Sequence, residues 1–210
     1  SLRRANAAIE NGAFAGEVVP VTFSTRAGEV TVEHDEQPGK GKPDKIPTLR
    51  PAFAKDGTIT AATSSSISDG AAAVVLTRES VAEKNGQTPV ARIVAMAAHA
   101  QAPSEFTVAP VGAINKVLEN AGWSADDVEL WEVNEAFACV AMFAMRDIGI
   151  PHDKINVNGG GTALGHPIGA SGTRIIVTLL NALKEQGKKR GIASLCIGGG
   201  EATAVAVELV

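Results

Sequence analysis

From Val90 onward the apolar positions switch regularly between two periods. Ala91–Ala97 is a run of small and β-branched residues, the pattern of a strand. Val108–Ala121 then repeats its apolar residues at about 3.6 positions, with Pro110 near its start and Gly122 past its end. Strand, then helix, is the expectation. Leu130–Val133 predicts a short strand, Glu135–Asp147 a helix stopped by Gly149 and Pro151, and Lys154–Val157 a further strand. The glycine-rich stretch Gly159–Gly172 leads into a helix reaching about Gly187. Ile192–Ile197 and Ala202–Leu209 predict a hairpin around Gly198-Gly199-Gly200. The predicted order, βαβαβαββ, implies an α/β fold: a mixed, largely parallel sheet layered with helices on both faces, to which the hairpin adds an antiparallel strand.

The first 89 residues predict no complete domain. Ser1–Gly12 (SLRRANAAIENG) reads as an amphipathic helix and lacks the pattern of a signal peptide. Residues 24–57, rich in Lys, Asp, Glu, Pro and Gly, predict an extended surface loop. Ala71–Thr77 (AAAVVLT) differs, because seven residues without a charge predict an interior strand, and nothing in residues 1–60 supplies its neighbours. A strand of that kind exposed alone invites aggregation or pairing with a complementary half.

Composition narrows the function classes. The chain has 210 residues, 45% hydrophobic, enough for a sizeable core, and a net charge of −4 that argues against nucleic acid as a partner. No run approaches the length of a membrane-spanning helix. Cys139 and Cys196 stand far apart with no CxxC pattern, which offers neither a metal ligand set nor a disulfide framework.

Three segments carry candidate chemistry: Val133–Ala138 (VNEAFA), Asn158–Gly172 (NGGGTALGHPIGASG) and Cys196–Gly200 (CIGGG). Each follows a predicted strand, and loops beyond the carboxyl ends of strands in one sheet can converge on a crevice. His166 lies in a glycine-rich loop where backbone can approach a ligand, a setting suited to acid–base work near neutral pH. A lone strand cysteine such as Cys196 is ordinarily core; the triple glycine after it, whose Gly198 N–H can face an anion, points towards function. Asn134 stands at a strand-to-helix junction, where it could cap the helix or hold a water or oxyanion. The run is not a phosphate-binding P-loop, since no GK[ST] follows.

Taken together, and in this order and spacing, the three segments resemble the thiolase family, and the likeness runs the length of the chain. LRPAF at Leu49–Phe53, DGTITA at Asp56–Ala61 and SDGAAAVVL at Ser68–Leu76 resemble it as well. The resemblance implies acyltransferase chemistry, the reversible Claisen condensation or thiolysis of acyl-CoA carried out by acetyl-CoA C-acetyltransferases and 3-ketoacyl-CoA thiolases. It assigns His166 as the base that activates a nucleophilic cysteine and as part of an oxyanion hole, and Asn134 as the holder of a water completing that hole. Cys196 would exchange a proton with the α-carbon, and the Gly198 N–H would serve a second oxyanion hole. Ser65 would contact the pantetheine arm, and Ala136 and Phe137 would line its tunnel.

The same resemblance divides the chain into a substrate-covering loop region at 1–70, the last strand and connection of an N-terminal half at 71–89, and a C-terminal domain at 90–210. The family's nucleophilic cysteine belongs to that N-terminal half, and Cys139 stands in the wrong motif to replace it, so the expectation is a fragment inactive alone. Where many members have Ala-Ser-Gly, this chain has Ser64-Ser65-Ser66. CoA thioesters are the implied substrates, with no permanently bound cofactor or metal. The implied partners are the missing half and further copies in a homodimer or homotetramer, with neither nucleic acid nor membrane. The implied location is the bacterial cytoplasm or the mitochondrial matrix, with no targeting signal visible. Lys40, Lys42 and Lys45 are placed to hold the nucleotide end of CoA. A carrier-protein ketosynthase fits GHPIGASG and the downstream CIGGG less well. A non-catalytic CoA-binding or scaffold module derived from a thiolase is the alternative.

Overall fold

A computed structural model describes all of residues 1–210. In chain order the elements are helix α1 (Leu2–Glu10), the hairpin β1 (Val21–Thr25) and β2 (Gly28–Val32), α2 (Glu79–Lys84) and β3 (Ala91–Ala100). They continue with α3 (Ala109–Ala121), β4 (Leu130–Val133), α4 (Ala138–Ile148), a single turn α5 (Gly161–Leu164), α6 (Ser171–Glu185), β5 (Arg190–Cys196) and β6 (Glu201–Leu209). Several short 3-10 turns lie between them.

One four-stranded sheet, ordered β3-β6-β5-β4, carries the core. Its strands alternate their side chains between two helical layers. Trp131, Val133, Ile192, Cys196 and Ala206 face α3 and α4, whereas Leu130, Ala193 and Val207 face α6. The helices supply matching stripes: Ala113, Ile114, Val117 and Leu118 on α3, and Ile175, Leu179, Ala182 and Leu183 on α6. Gly122 and Gly149 end α3 and α4 in the left-handed conformation, at φ +67° and +82°, as the sequence predicts for these stops.

The sheet is less parallel than expected. β4 and β5 are parallel, but β6 pairs antiparallel with both β5 and β3. The three strands joined through helices do point the same way, as the alternating pattern requires. The closing strand of the hairpin inserts between two of them, so only β4 and β5 touch as parallel neighbours.

Three other expectations change. Lys154–Val157 forms no strand: only Ile155 bridges to Trp131, because the chain turns at Asn156, which has φ +46°. Residues 24–57 contain most of an exposed hairpin, β1–β2, built from alternating Val, Thr and Phe around a turn at Gly28. Ala71–Thr77 has no strand partner and makes no backbone hydrogen bond; Val75 and Leu76 are 95% and 72% exposed. A strand is defined by its ladder, and no strand of these residues faces this segment. No helix is long and apolar enough to cross a membrane.

The α6 layer can be tested through Leu179, which is fully buried against the sheet and fills the space above Gly191, where an added Cβ would come within 2.8 Å of its Cδ1. Leu179→Ala is expected to cost about 2–5 kcal/mol in urea unfolding. A loss below about 1 kcal/mol would remove Leu179 from the core that holds α6 to the sheet.

Candidate functional site

The site is built at the carboxyl ends of β4 and β5. Their register pairs Val133 with Ser194, and the next residue, Asn134, donates its N–H to Ser194 O at 2.9 Å. Asn134 and Cys196 therefore leave adjacent strand ends. Beyond Asn134 the chain does not enter a helix at once. Residues 135–137 form an extended hook, and Phe137 is the N-cap of α4. That rules out the helix-capping account of Asn134. Its side chain is 2% exposed, and neither amide atom has a protein partner. Gly161 lies against it: a Cβ there would stand 2.9 Å from Glu135 O and 3.3 Å from Asn134 Oδ1.

Two buried residues, Glu135 and Asn156, hold this hook, and sequence reasoning gave neither a role. Asn156 accepts the Val133 N–H at Oδ1 (2.8 Å) and donates from Nδ2 to Val133 O (2.9 Å), so its side-chain amide stands in for a strand partner at the free edge of β4. Nδ2 also donates to Glu135 Oε1 at 3.0 Å. The other carboxylate oxygen of Glu135 accepts from the N–H and hydroxyl of Thr162, at 3.2 and 2.5 Å. The signal available in the sequence was an asparagine just before the glycine run, since Asn tolerates the left-handed backbone.

His166 follows Gly165, whose φ is +78°. Its N–H donates to Ser66 O at 2.9 Å, its Nδ1 lies 2.6 Å from Ser171 Oγ, and Arg174 donates to Gly165 O at 2.8 Å. Burial first, and the charge of Arg174 second, lower the pKa of the imidazole, so it is neutral at pH 7. A neutral imidazole can accept a proton.

Residues 64–66 tie the hook to the histidine loop. The N–H and the hydroxyl of Ser65 both donate to Ala136 O at 3.0 Å, and Ser64 bridges to Phe137. The extra hydroxyls of the triple serine are satisfied locally, Ser64 on Thr60 O and Ser66 with Ser68 Oγ. Phe137 makes edge contacts with Phe53 and Phe106, each at 6.0 Å between ring centres. Ser65, Ala136 and Phe137 thus form one wall, to which Phe53 and Phe106 also belong.

Cys196 ends β5, 7% exposed, within the cluster facing α3 and α4. Burial pushes its thiol from the ordinary 9.0 up to about 11, so at neutral pH it is protonated and can give a proton. The N–H of Gly198, two residues on, has no backbone partner, and its Cα face is open. The side chains of Asn134, His166 and Cys196 make no hydrogen bonds to one another. They are related through the strand ends and loops that carry them. Lys40, Lys42 and Lys45 are exposed, and Lys40 pairs with Glu36 at 3.2 Å.

Comparison with known proteins shows what the whole chain is similar to. The family "Thiolase, C-terminal domain" matches residues 87–209, and "Thiolase, N-terminal domain" matches residues 1–80. An acetyl-CoA acetyltransferase of Yarrowia lipolytica is 50% identical over 210 residues, covering 100% of this chain and 52% of that protein. The crystal structure of the Bacillus anthracis acetyl-CoA acetyltransferase superposes with a TM-score of 0.97 at 42% identity, covering 100% of this chain and 54% of that one. The Acat5 thiolase of Ascaris suum in complex with coenzyme A gives 0.89 at 37% identity, covering 100% and 53%. The chain spans about half the length of the curated relatives it matches.

Two outcomes check the site. Asn156→Ala strips partners from Val133 and Glu135 and is expected to cost about 2–4 kcal/mol in urea unfolding, well beyond an exposed Asn→Ala change. The thiol of Cys196 has its pKa raised on folding, so the stability it lends is complete below pH 9.0 and lost as pH climbs towards about 11. Over that range the unfolding midpoint of the wild type should fall more steeply than that of Cys196→Ala. Parallel curves would mean that the thiol is not held protonated.

Proposed function

The chain belongs to the thiolase family, and we propose that it carries the acid–base and oxyanion-binding part of a thiolase site, acting on acyl-CoA in the reversible Claisen condensation or thiolysis of an acetyl-CoA acetyltransferase or 3-ketoacyl-CoA thiolase. The observation that carries this reading is an unpartnered Asn134 amide and a protonated Cys196 at the ends of two adjacent parallel strands, with a neutral His166 on the glycine loop that residues 64–66 tie to the end of β4. The Ascaris relative bound to coenzyme A supports a CoA thioester as the substrate.

In the thiolysis direction, His166 takes the proton of a nucleophilic thiol, and the thiolate adds to the 3-keto carbonyl. The oxyanion formed there is stabilised by His166 and by a water held on Asn134. The bond between C2 and C3 breaks, its electron pair forms the enolate of acetyl-CoA, and Cys196 delivers a proton to that carbon. Negative charge on the thioester oxygen of the enolate faces the Gly198 N–H. A second CoA then gives its thiol proton back to Cys196, its sulfur takes the acyl group, and the nucleophile leaves with the proton held on His166. Ser65, Ala136 and Phe137 would line the path of the pantetheine arm.

These 210 residues contain only Cys139 and Cys196. Cys139 lies inside α4, and burial raises its pKa, the wrong direction for a nucleophile. The nucleophile of the proposed reaction is therefore supplied from outside these residues.

Joining the first half of the Yarrowia lipolytica acetyl-CoA acetyltransferase to residues 1–210 provides the test. The fusion is expected to cleave acetoacetyl-CoA, and His166→Ala in it to lower kcat by at least about 100-fold. A folded fusion without thiolysis would overturn the reading in favour of a CoA-binding module. Turnover by residues 1–210 alone would overturn the external nucleophile.

A further inference from the structure

Ser171 opens α6 with its side chain fully buried, five residues after His166. Its Oγ lies 2.6 Å from His166 Nδ1 and donates to Pro167 O at 3.0 Å. A hydroxyl has one proton to give. With that proton directed at Pro167 O, Oγ can only accept from the imidazole, so Nδ1 bears the hydrogen and Nε2 a lone pair. We propose that Ser171 is a positioning residue that fixes His166 in the Nδ1–H tautomer and aims a bare Nε2 at the reacting thiol.

The surroundings leave the ring few other choices. The peptide unit that leads into the imidazole is pinned at both its polar atoms, by the His166 N–H on Ser66 O and by Arg174 on Gly165 O. The ring's remaining freedom is rotation about its own bonds, and Ser171 removes it. The opposite arrangement, with Ser171 donating to Nδ1, would leave Pro167 O to the N–H groups of Ala170 and Ser171, both at 2.8 Å, and put the proton on Nε2. That nitrogen would be a donor and no longer a base.

The lock also reconciles the two roles of His166 in the proposed reaction, on which this inference rests. The S–H bond breaks as the Nε2–H bond forms, and the imidazolium keeps its Nδ1–H on Ser171. The newly formed Nε2–H is then the donor that faces the oxyanion. The proton stays on Nε2 while Cys196 protonates the departing enolate, and it returns to the nucleophilic sulfur when the acyl group passes to CoA. Each turnover therefore begins and ends with Nε2 unprotonated.

Nitrogen-15 spectra of the histidine ring nitrogens, recorded by magic-angle spinning on sedimented residues 1–210 and assigned by the signals lost in His166→Asn, read the tautomer directly. At neutral pH the wild type is expected to show a protonated Nδ1 and a bare Nε2. Ser171→Ala should move the population towards Nε2–H, the form free imidazole side chains prefer, and Ser171→Thr should restore the wild-type spectrum. A protonated Nε2 in the wild type, or a tautomer indifferent to Ser171→Ala, overturns the proposal. In the fusion enzyme Ser171→Ala should lower kcat about 10- to 100-fold with little change in KM, and an undiminished kcat overturns the positioning role. The expected spectra with an inactive wild-type fusion would support the lock while overturning the thiolase reading.

Discussion

The side-chain amide of Asn156 is the contact on which the site's architecture rests. A strand at the edge of a sheet leaves backbone groups unpaired, and a buried edge cannot turn to water for them. β4 is such an edge, buried along its whole length. Asn156 supplies both a donor and an acceptor to Val133, as a peptide group on a fifth strand would, yet it is a single side chain. The chain needs no fifth strand there and is free to turn at once into the glycine loop. Glu135 joins the same amide to Thr162, so the end of β4 and the start of that loop move as one body. His166, further along the loop, inherits its position from this arrangement.

Behind the histidine lies a second polar layer of a different character. Glu132 points from β4 towards α6 and is almost completely buried, and burial, followed by the charges of Glu135 and Glu17, raises its pKa well above the usual carboxylate range. Arg174 lies among Glu132, Asp35 and Glu17 and also reaches the loop carbonyl beside His166. Its positive charge faces acids on one side and the imidazole on the other. The acids help keep a partly buried guanidinium charged, and that charge disfavours a second cation on the ring. Arg174 thus adds to the burial that keeps His166 neutral.

Much of the fold could be read from periodicity because helices and paired strands impose regular spacing. α3, β4, α6 and the closing hairpin were found within a few residues, and Gly122 and Gly149 marked two helix ends. What escaped depends on side chains substituting for backbone. Lys154–Val157 has the composition of a strand, but Asn156 performs the pairing through its amide, which no periodicity reports. The insertion of β6 between β3 and β5 is a matter of spatial order, and alternation along the chain constrains only direction. At the site, the loops around Asn134, His166 and Cys196 stood out through glycine and through resemblance. Glu135, Asn156, Ser171 and Arg174 did not, since each acts by holding another residue, and nothing in their own residue types, even within the segments that hold Glu135 and Ser171, marks that task.

The place of β6 also governs how this sheet can assemble. β3 pairs only with β6, whose residues lie about a hundred positions later in the chain, and it touches neither of the strands made between them. On a ribosome, residues 91–100 would emerge long before any strand able to receive them, while β4 could find its neighbour only once β5 existed. Closure of the sheet is therefore a late, non-local event carrying most of its loop-closure entropy in one step. Until then α3 has only part of its surface to rest on, and the unpaired edge of β3 is open to pairing with other strands.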